Sequence, residues 1–92
     1  MNNKNLRISD SIFKTEIGDS IVILETNTGK YLELNETASF IFDGLEKKND
    51  VSEIIRNLVE IYEVDIETAK DSVDSFILDC LKNNILIQSP DK

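Results

Sequence analysis

A chain of 92 residues can bury roughly 60–65% of the surface its unfolded form exposes, so residues 1–92 are read as one small domain with one modest core. Apolar residues at 40% and charged residues at 30% exclude a disordered or membrane composition, and no apolar run nears the ~20 residues that span a bilayer. Eighteen acidic against ten basic residues leave a net charge of −8, which repels phosphate backbones and argues against nucleic acid as a partner.

The first residues, MNNKNLRISDS, read as a polar tail without the apolar centre of a signal peptide, and this points to the cytoplasm. Two elements follow. Ile12 to Ile17 forms a first strand ended by a turn at Gly18-Asp19, and the β-branched run SIVILET, too short for a helix, forms a second. Asn27-Thr28-Gly29 supplies a hairpin loop with a glycine for positive φ, and the chain returns as a third strand from Lys30 to Leu34. These make an antiparallel meander in which two strands lie on edges.

Asn35 caps a first helix, with Glu36 at the positive end of its dipole and Ala38, Ile41, Phe42 and Leu45 on one face; Gly44 and the run KKND end it. Asp50 with Glu53 has the form of a capping box for a second helix, Val51 to Tyr62, whose buried stripe is Val51, Ile54, Ile55, Leu58 and Ile61. Asp65 caps a third helix, Ile66 to Lys82, with Ile66, Ala69, Val73, Phe76, Ile77, Cys80 and Leu81 on a broad apolar arc and Leu78 beyond its margin. Lys70 and Asp74 border that arc, which suggests a helix that packs on the core and also flanks a second, partly solvated surface. Asn83-Asn84 ends it, ILIQ forms a last extended piece, and SPDK is a polar tail.

Little in this inventory supports catalysis. The chain has no histidine, and the single Cys80 can form neither an internal disulfide nor a Cys/His nucleophilic pair. The usual acid–base group at neutral pH and the commonest metal ligand are missing with histidine. The carboxylates are scattered: Glu60, Glu63, Asp65 and Glu67 lack the alternating spacing of a calcium loop, and three isolated glycines make no phosphate cradle. No catalytic residue, metal or cofactor is therefore assigned. Cys80 reads as a small core hydrophobe, whereas Tyr31 either packs or lines a groove.

What remains is a surface, the edge of the strand Lys30 to Leu34. An open edge offers unpaired N–H and C=O groups; Lys30 and Glu33 either guard it against aggregation or belong to a site where a peptide adds as another strand. From the residues alone both readings stand.

The segment TGKYLELNETASFIFDGL resembles the signature of PqqD-like proteins, the RiPP recognition elements, in which a G-[KR]-[YF]-x-x-L-N-x-[TIV] run leads into a helix with an Ile-aromatic pair, here Ile41-Phe42. YEVDIETAKDSVDSFILDCLKNNILI continues it, so that the resemblance covers about residues 12–87. Phe42 stands where members usually have Trp, and Asn84 where many have Gly before the closing hydrophobes. The resemblance implies an α+β, winged-helix-like fold: a three-stranded antiparallel β-meander followed by three α-helices. It also implies a non-catalytic protein that captures the leader of a ribosomally synthesised precursor peptide by strand addition and presents it to a modifying enzyme, such as a radical SAM enzyme, a peptidase or a cyclase. On this sequence the implied peptide-binding residues are Lys30, Tyr31, Leu32, Glu33 and Leu34 on the strand, and Lys70, Val73, Asp74, Ile77 and Leu78 on the third helix. Two alternatives share the fold: an interaction subunit with no leader peptide, and a DNA-binding regulator, whose recognition helix would need to be basic where this one carries Glu67, Asp71, Asp74 and Asp79.

Overall fold

Alternating β-branched segments pair with their sequence neighbours, and amphipathic segments capped by Asn or Asp fold as helices against them. The computed structural model describes residues 6–18 and 20–88. Its elements run β1 (Leu6–Ile8), β2 (Ile12–Ile17), β3 (Ser20–Glu25), β4 (Lys30–Leu34), α1 (Glu36–Glu46), α2 (Val51–Tyr62), α3 (Ile66–Lys82) and β5 (Leu86–Gln88). The expected polar tails at 1–5 and 89–92, and Asp19 of the first turn, lie outside the described residues.

β2, β3 and β4 form the expected antiparallel meander in the order β2-β3-β4. Its inner face is set by a period of two: Ile23 opposite Leu32 and Ile21 opposite Leu34 face the helices. Gly29, at φ 75, turns the β3–β4 connection through a conformation that costs a residue with a Cβ about 1–2 kcal/mol.

The caps act as their side chains suggest at two of three helices. Asn35 Oδ1 accepts from the Ala38 N–H at 2.8 Å, and Asp65 Oδ1 accepts from the Thr68 N–H at 2.9 Å; each such bond is worth about 1 kcal/mol. Asp50 has the extended backbone of an N-cap but makes no side-chain cap bond, so the expected capping box is not formed. Nor does Gly44 end α1. The helix continues to Glu46, and Gly44 sits where α1 meets α2; a Cβ there would lie 2.9 Å from Ile54 Cγ1. Absence of a side chain, rather than helix breaking, is what this position uses.

One core joins the layers. Ile23 and Leu34 from the sheet meet Ile41, Phe42 and Leu45 of α1, Val51, Ile54 and Leu58 of α2, and Ala69, Val73, Phe76, Ile77 and Cys80 of α3. Full burial of each large side chain contributes about 1.5–3 kcal/mol. Ile61, expected in the α2 stripe, is 58% exposed, because α2's partners cover the face centred on Ile54 and Leu58. Tyr62 closes α2, its ring edge-on to Phe40 at 5.9 Å.

The supposed N-terminal polar tail is partly a strand. β1 pairs antiparallel with β5, Leu6 opposite Gln88 and Ile8 opposite Leu86, and the Ser9 N–H donates to the Ile85 carbonyl at 2.9 Å. Leu6 and Ile8 pack on the core. This ladder sews the beginning of the described chain to its end, outside the three-stranded sheet.

Candidate functional site

The sheet order leaves the outer edges of β2 and β4 without a neighbouring strand among the described residues. Alternate residues on each therefore direct N–H and C=O groups away from the sheet. The two edges differ in what lies beneath them. On β2 the inward positions include Lys14, whose Nζ bonds Glu46 Oε1 of α1 at 2.8 Å and lies 5.9 Å from the centre of the Phe42 ring. The bond to Glu46 holds this ammonium above its usual pKa. An inward charge of this kind discourages a second chain from adding there. On β4 the same face carries Leu32, half-buried, and Leu34, buried, with the exposed Lys30 at its hairpin end. A strand added at β4 meets an apolar inner lining with no such charge at its centre.

β4 is held in place from both ends. Asn35, directly after it, caps α1, and the Ser39 hydroxyl donates to the Leu34 carbonyl at 3.3 Å. At the hairpin end the anchor is Glu25, which sequence reasoning missed. Its carboxylate accepts from the Ser11 hydroxyl at 2.8 Å, the Thr28 N–H at 2.9 Å, the Thr28 hydroxyl at 3.2 Å and Asn27 Nδ2 at 3.4 Å. Glu25 is almost wholly enclosed at 1% exposure, and the Ser11 hydroxyl foremost, with the Thr28 bonds, draws its pKa below the ordinary carboxylate value. The signal available was parity: Glu25 occupies an inward position of β3, in step with Ile21 and Ile23.

The outer face of the sheet carries the remaining side chains. Tyr31 is 72% exposed and Glu33 is exposed, so Tyr31 does not pack in the core. Tyr31 stands opposite Leu24, which stands opposite Phe13, itself 66% exposed.

The helix wall divides into three environments. Val73 and Ile77 are fully buried and offer no surface to a ligand; Leu78 is 59% exposed. Lys70 and Asp74 line a shallow groove of about 410 Å³ with Val51, Ile55 and Arg56 of α2 and Ile66. No Cα of β4 lies within 8 Å of one in α3, although side chains of both elements belong to the one core. That spacing exceeds the 4.7–4.9 Å between paired strands. Cys80 is buried, and enclosure pushes its thiol pKa up to about 12.

Among the described residues, no cluster of three or more His, Cys, Asp or Glu could hold a metal ion, and no helix is long and apolar enough to cross a membrane.

Comparison with known proteins adds to this geometry. A family model described as Coenzyme PQQ synthesis protein D (PqqD) matches residues 20–86. A solved structure of TbiB1 in complex with the TbiA(beta) leader peptide is similar at a TM-score of 0.84 and 28% identity, over 92% of this chain and 99% of that one. A lasso peptide synthetase B1 complexed with the leader peptide is similar at a TM-score of 0.84 and 22% identity, over 90% of this chain and 98% of that one, a likeness of fold. No curated protein matches the chain.

Proposed function

Because the chain belongs to the PqqD family of RiPP recognition elements, we propose that it captures the leader of a ribosomally synthesised precursor peptide and presents the peptide to a modifying enzyme. The observation that carries this reading is the β4 edge: without a partner strand among the described residues, anchored at both ends, and lined inward by Leu32 and Leu34. The two similar structures, each of a protein bound to a leader peptide, support it.

The leader adds as a further strand along Lys30 to Leu34, using main-chain groups for affinity and side chains for choice. Roughly five ladder hydrogen bonds at about 0.5–1.5 kcal/mol each supply about 2.5–7.5 kcal/mol. Loss of translational and rotational freedom costs at least about 4 kcal/mol, so main-chain pairing alone falls short of the about 8 kcal/mol that a micromolar complex needs. Burial of apolar leader residues must provide the rest. Leu32 and Leu34 offer that lining on the strand. On α3, Lys70 and Leu78 are exposed to a passing peptide and Asp74 is half-buried, while the buried Val73 and Ile77 hold the helix against the core behind them.

No covalent step is assigned to this chain. Its contribution is tethering, which raises the effective concentration of the core peptide at the enzyme. The partner enzyme is of the radical SAM, peptidase or cyclase kind, and the encounter takes place in the cytoplasm, where precursor peptides are made. Titrating any fluorescein-labelled leader of a precursor peptide encoded beside this gene, by anisotropy, should give micromolar or tighter binding; failure of every such leader to bind would sink the reading.

A further inference from the structure

The register of the sheet states what a strand added to β4 would meet. Residues directly opposite one another form rows across the strands, and an added strand extends each row by one place. The outer face has two such rows: Phe13, Leu24 and Tyr31, and Thr15, Val22 and Glu33. Between them, on the inner face, runs Lys14, Ile23 and Leu32.

Each row ends differently. The first is apolar throughout, and its last ring, on Tyr31, is 72% exposed. Val22 and Leu24 of the outer face take no part in the core, so this apolar strip has nothing of its own chain upon it among the described residues. The second row ends in Glu33, an exposed carboxylate that makes no ion pair and no side-chain hydrogen bond among the described residues. Net charge of −8 over the chain adds to the negative potential there. The middle row ends in Leu32, half-buried and facing the helices.

Resting on the leader-capture reading, we propose that β4 selects a peptide with a basic residue opposite Glu33, an aliphatic residue opposite Leu32 and an aromatic or β-branched residue opposite Tyr31. In an antiparallel arrangement the peptide reads basic, aliphatic, aromatic from its N-terminus; in a parallel one the order is reversed. The basic residue gains an opposite-charge cross-strand pair, and an acidic residue in its place meets like charge. The aromatic residue extends the Phe13, Leu24, Tyr31 row and covers the Tyr31 ring.

The test uses the full chain and labelled synthetic peptides with Lys-Ile-Tyr or Tyr-Ile-Lys centred in Thr/Ser flanks, each beside a version with Glu for Lys, at low salt. The leader encoded beside the gene serves as reference. Wild type should prefer the better Lys peptide by about threefold to tenfold, Glu33→Lys should invert that preference, and Tyr31→Ser should weaken both charge forms alike by about threefold. Both substitutions fall on exposed positions, so unchanged melting certifies the fold. If Glu33→Lys leaves the Lys-over-Glu preference as it was, or if the reference leader binds and no designed peptide does, the row pairing is overturned while leader capture stands. If the reference leader fails as well, both proposals fall.

Discussion

Arginine placed at Val73 and at Leu78 of α3 separates the part of the helix that holds the fold from the part free to touch a ligand. Val73 has no exposed surface, whereas Leu78 is 59% exposed. Truncating Val73 to alanine removes two methyl groups at about 0.8 kcal/mol each and leaves a cavity, a loss of about 2–3 kcal/mol. At about 4–8 °C per kcal/mol for a domain of this size, the melting midpoint should fall by about 10–20 °C. Val73→Arg must also bury a charge, which costs several kcal/mol more from a total of about 5–14 kcal/mol, and should abolish cooperative melting or nearly so. Leu78→Arg should shift stability by no more than about 0.5 kcal/mol and keep the helical spectrum, while weakening leader binding. Thermal melts followed by circular dichroism, with anisotropy titration of the folded variants, read both effects. A Val73→Arg protein that melts like wild type and loses only peptide binding would refute the packing of α3 described above.

Gly44→Ala should cost about 1 kcal/mol, the clash with Ile54 exceeding the gain in helix propensity. In an Ile54→Ala background the same change should stabilise; an equal loss in both backgrounds, measured by urea unfolding, would show that the contact is not the cause. The Cys80 thiol, with its pKa pushed up to about 12, should react with an aromatic disulfide reagent at pH 8 only as fast as the domain opens, and immediate stoichiometric labelling of native protein would contradict its burial. For Glu25 the folded pKa lies below the usual 4.5, so its stabilisation is complete above that value and is lost as pH falls through the lowered one. Between pH 5 and pH 3 the melting midpoint of wild type should therefore drop more steeply than that of Glu25→Gln, and parallel curves would remove Glu25 from its anchoring role.

Much of this architecture was legible because local patterns and tertiary packing agreed. The strands Ile12–Ile17 and Lys30–Leu34, the start of α1 and all of α2 and α3 follow from alternation, helical period and the caps at Asn35 of α1 and Asp65 of α3. β1 was not legible. Leu6–Ile8 is three residues in a polar setting and becomes a strand only by pairing with Leu86–Gln88, a partner no local window contains. Gly44 looked like a stop because its usual cost in a helix is visible in sequence, while Ile54 lying against it is not. The edge at β4 could be read from element order. The helix wall could not: a projection gives the angle at which Val73, Ile77 and Leu78 leave the helix, but which angles are covered depends on α1, α2 and β5. Glu25 was hidden for the reverse reason, since a carboxylate on a strand reads as solvated until its donors from Ser11, Asn27 and Thr28 are seen.

The β1–β5 ladder has a consequence for how this domain can be joined to others. Leu6 and Gln88 stand opposite each other, about 5 Å apart at their Cα atoms as antiparallel partners are. A polypeptide therefore arrives at and departs from the fold at one spot. The whole unit can be grafted into a surface loop of an unrelated carrier, or closed head to tail with a short linker, without stretching β1 or β5.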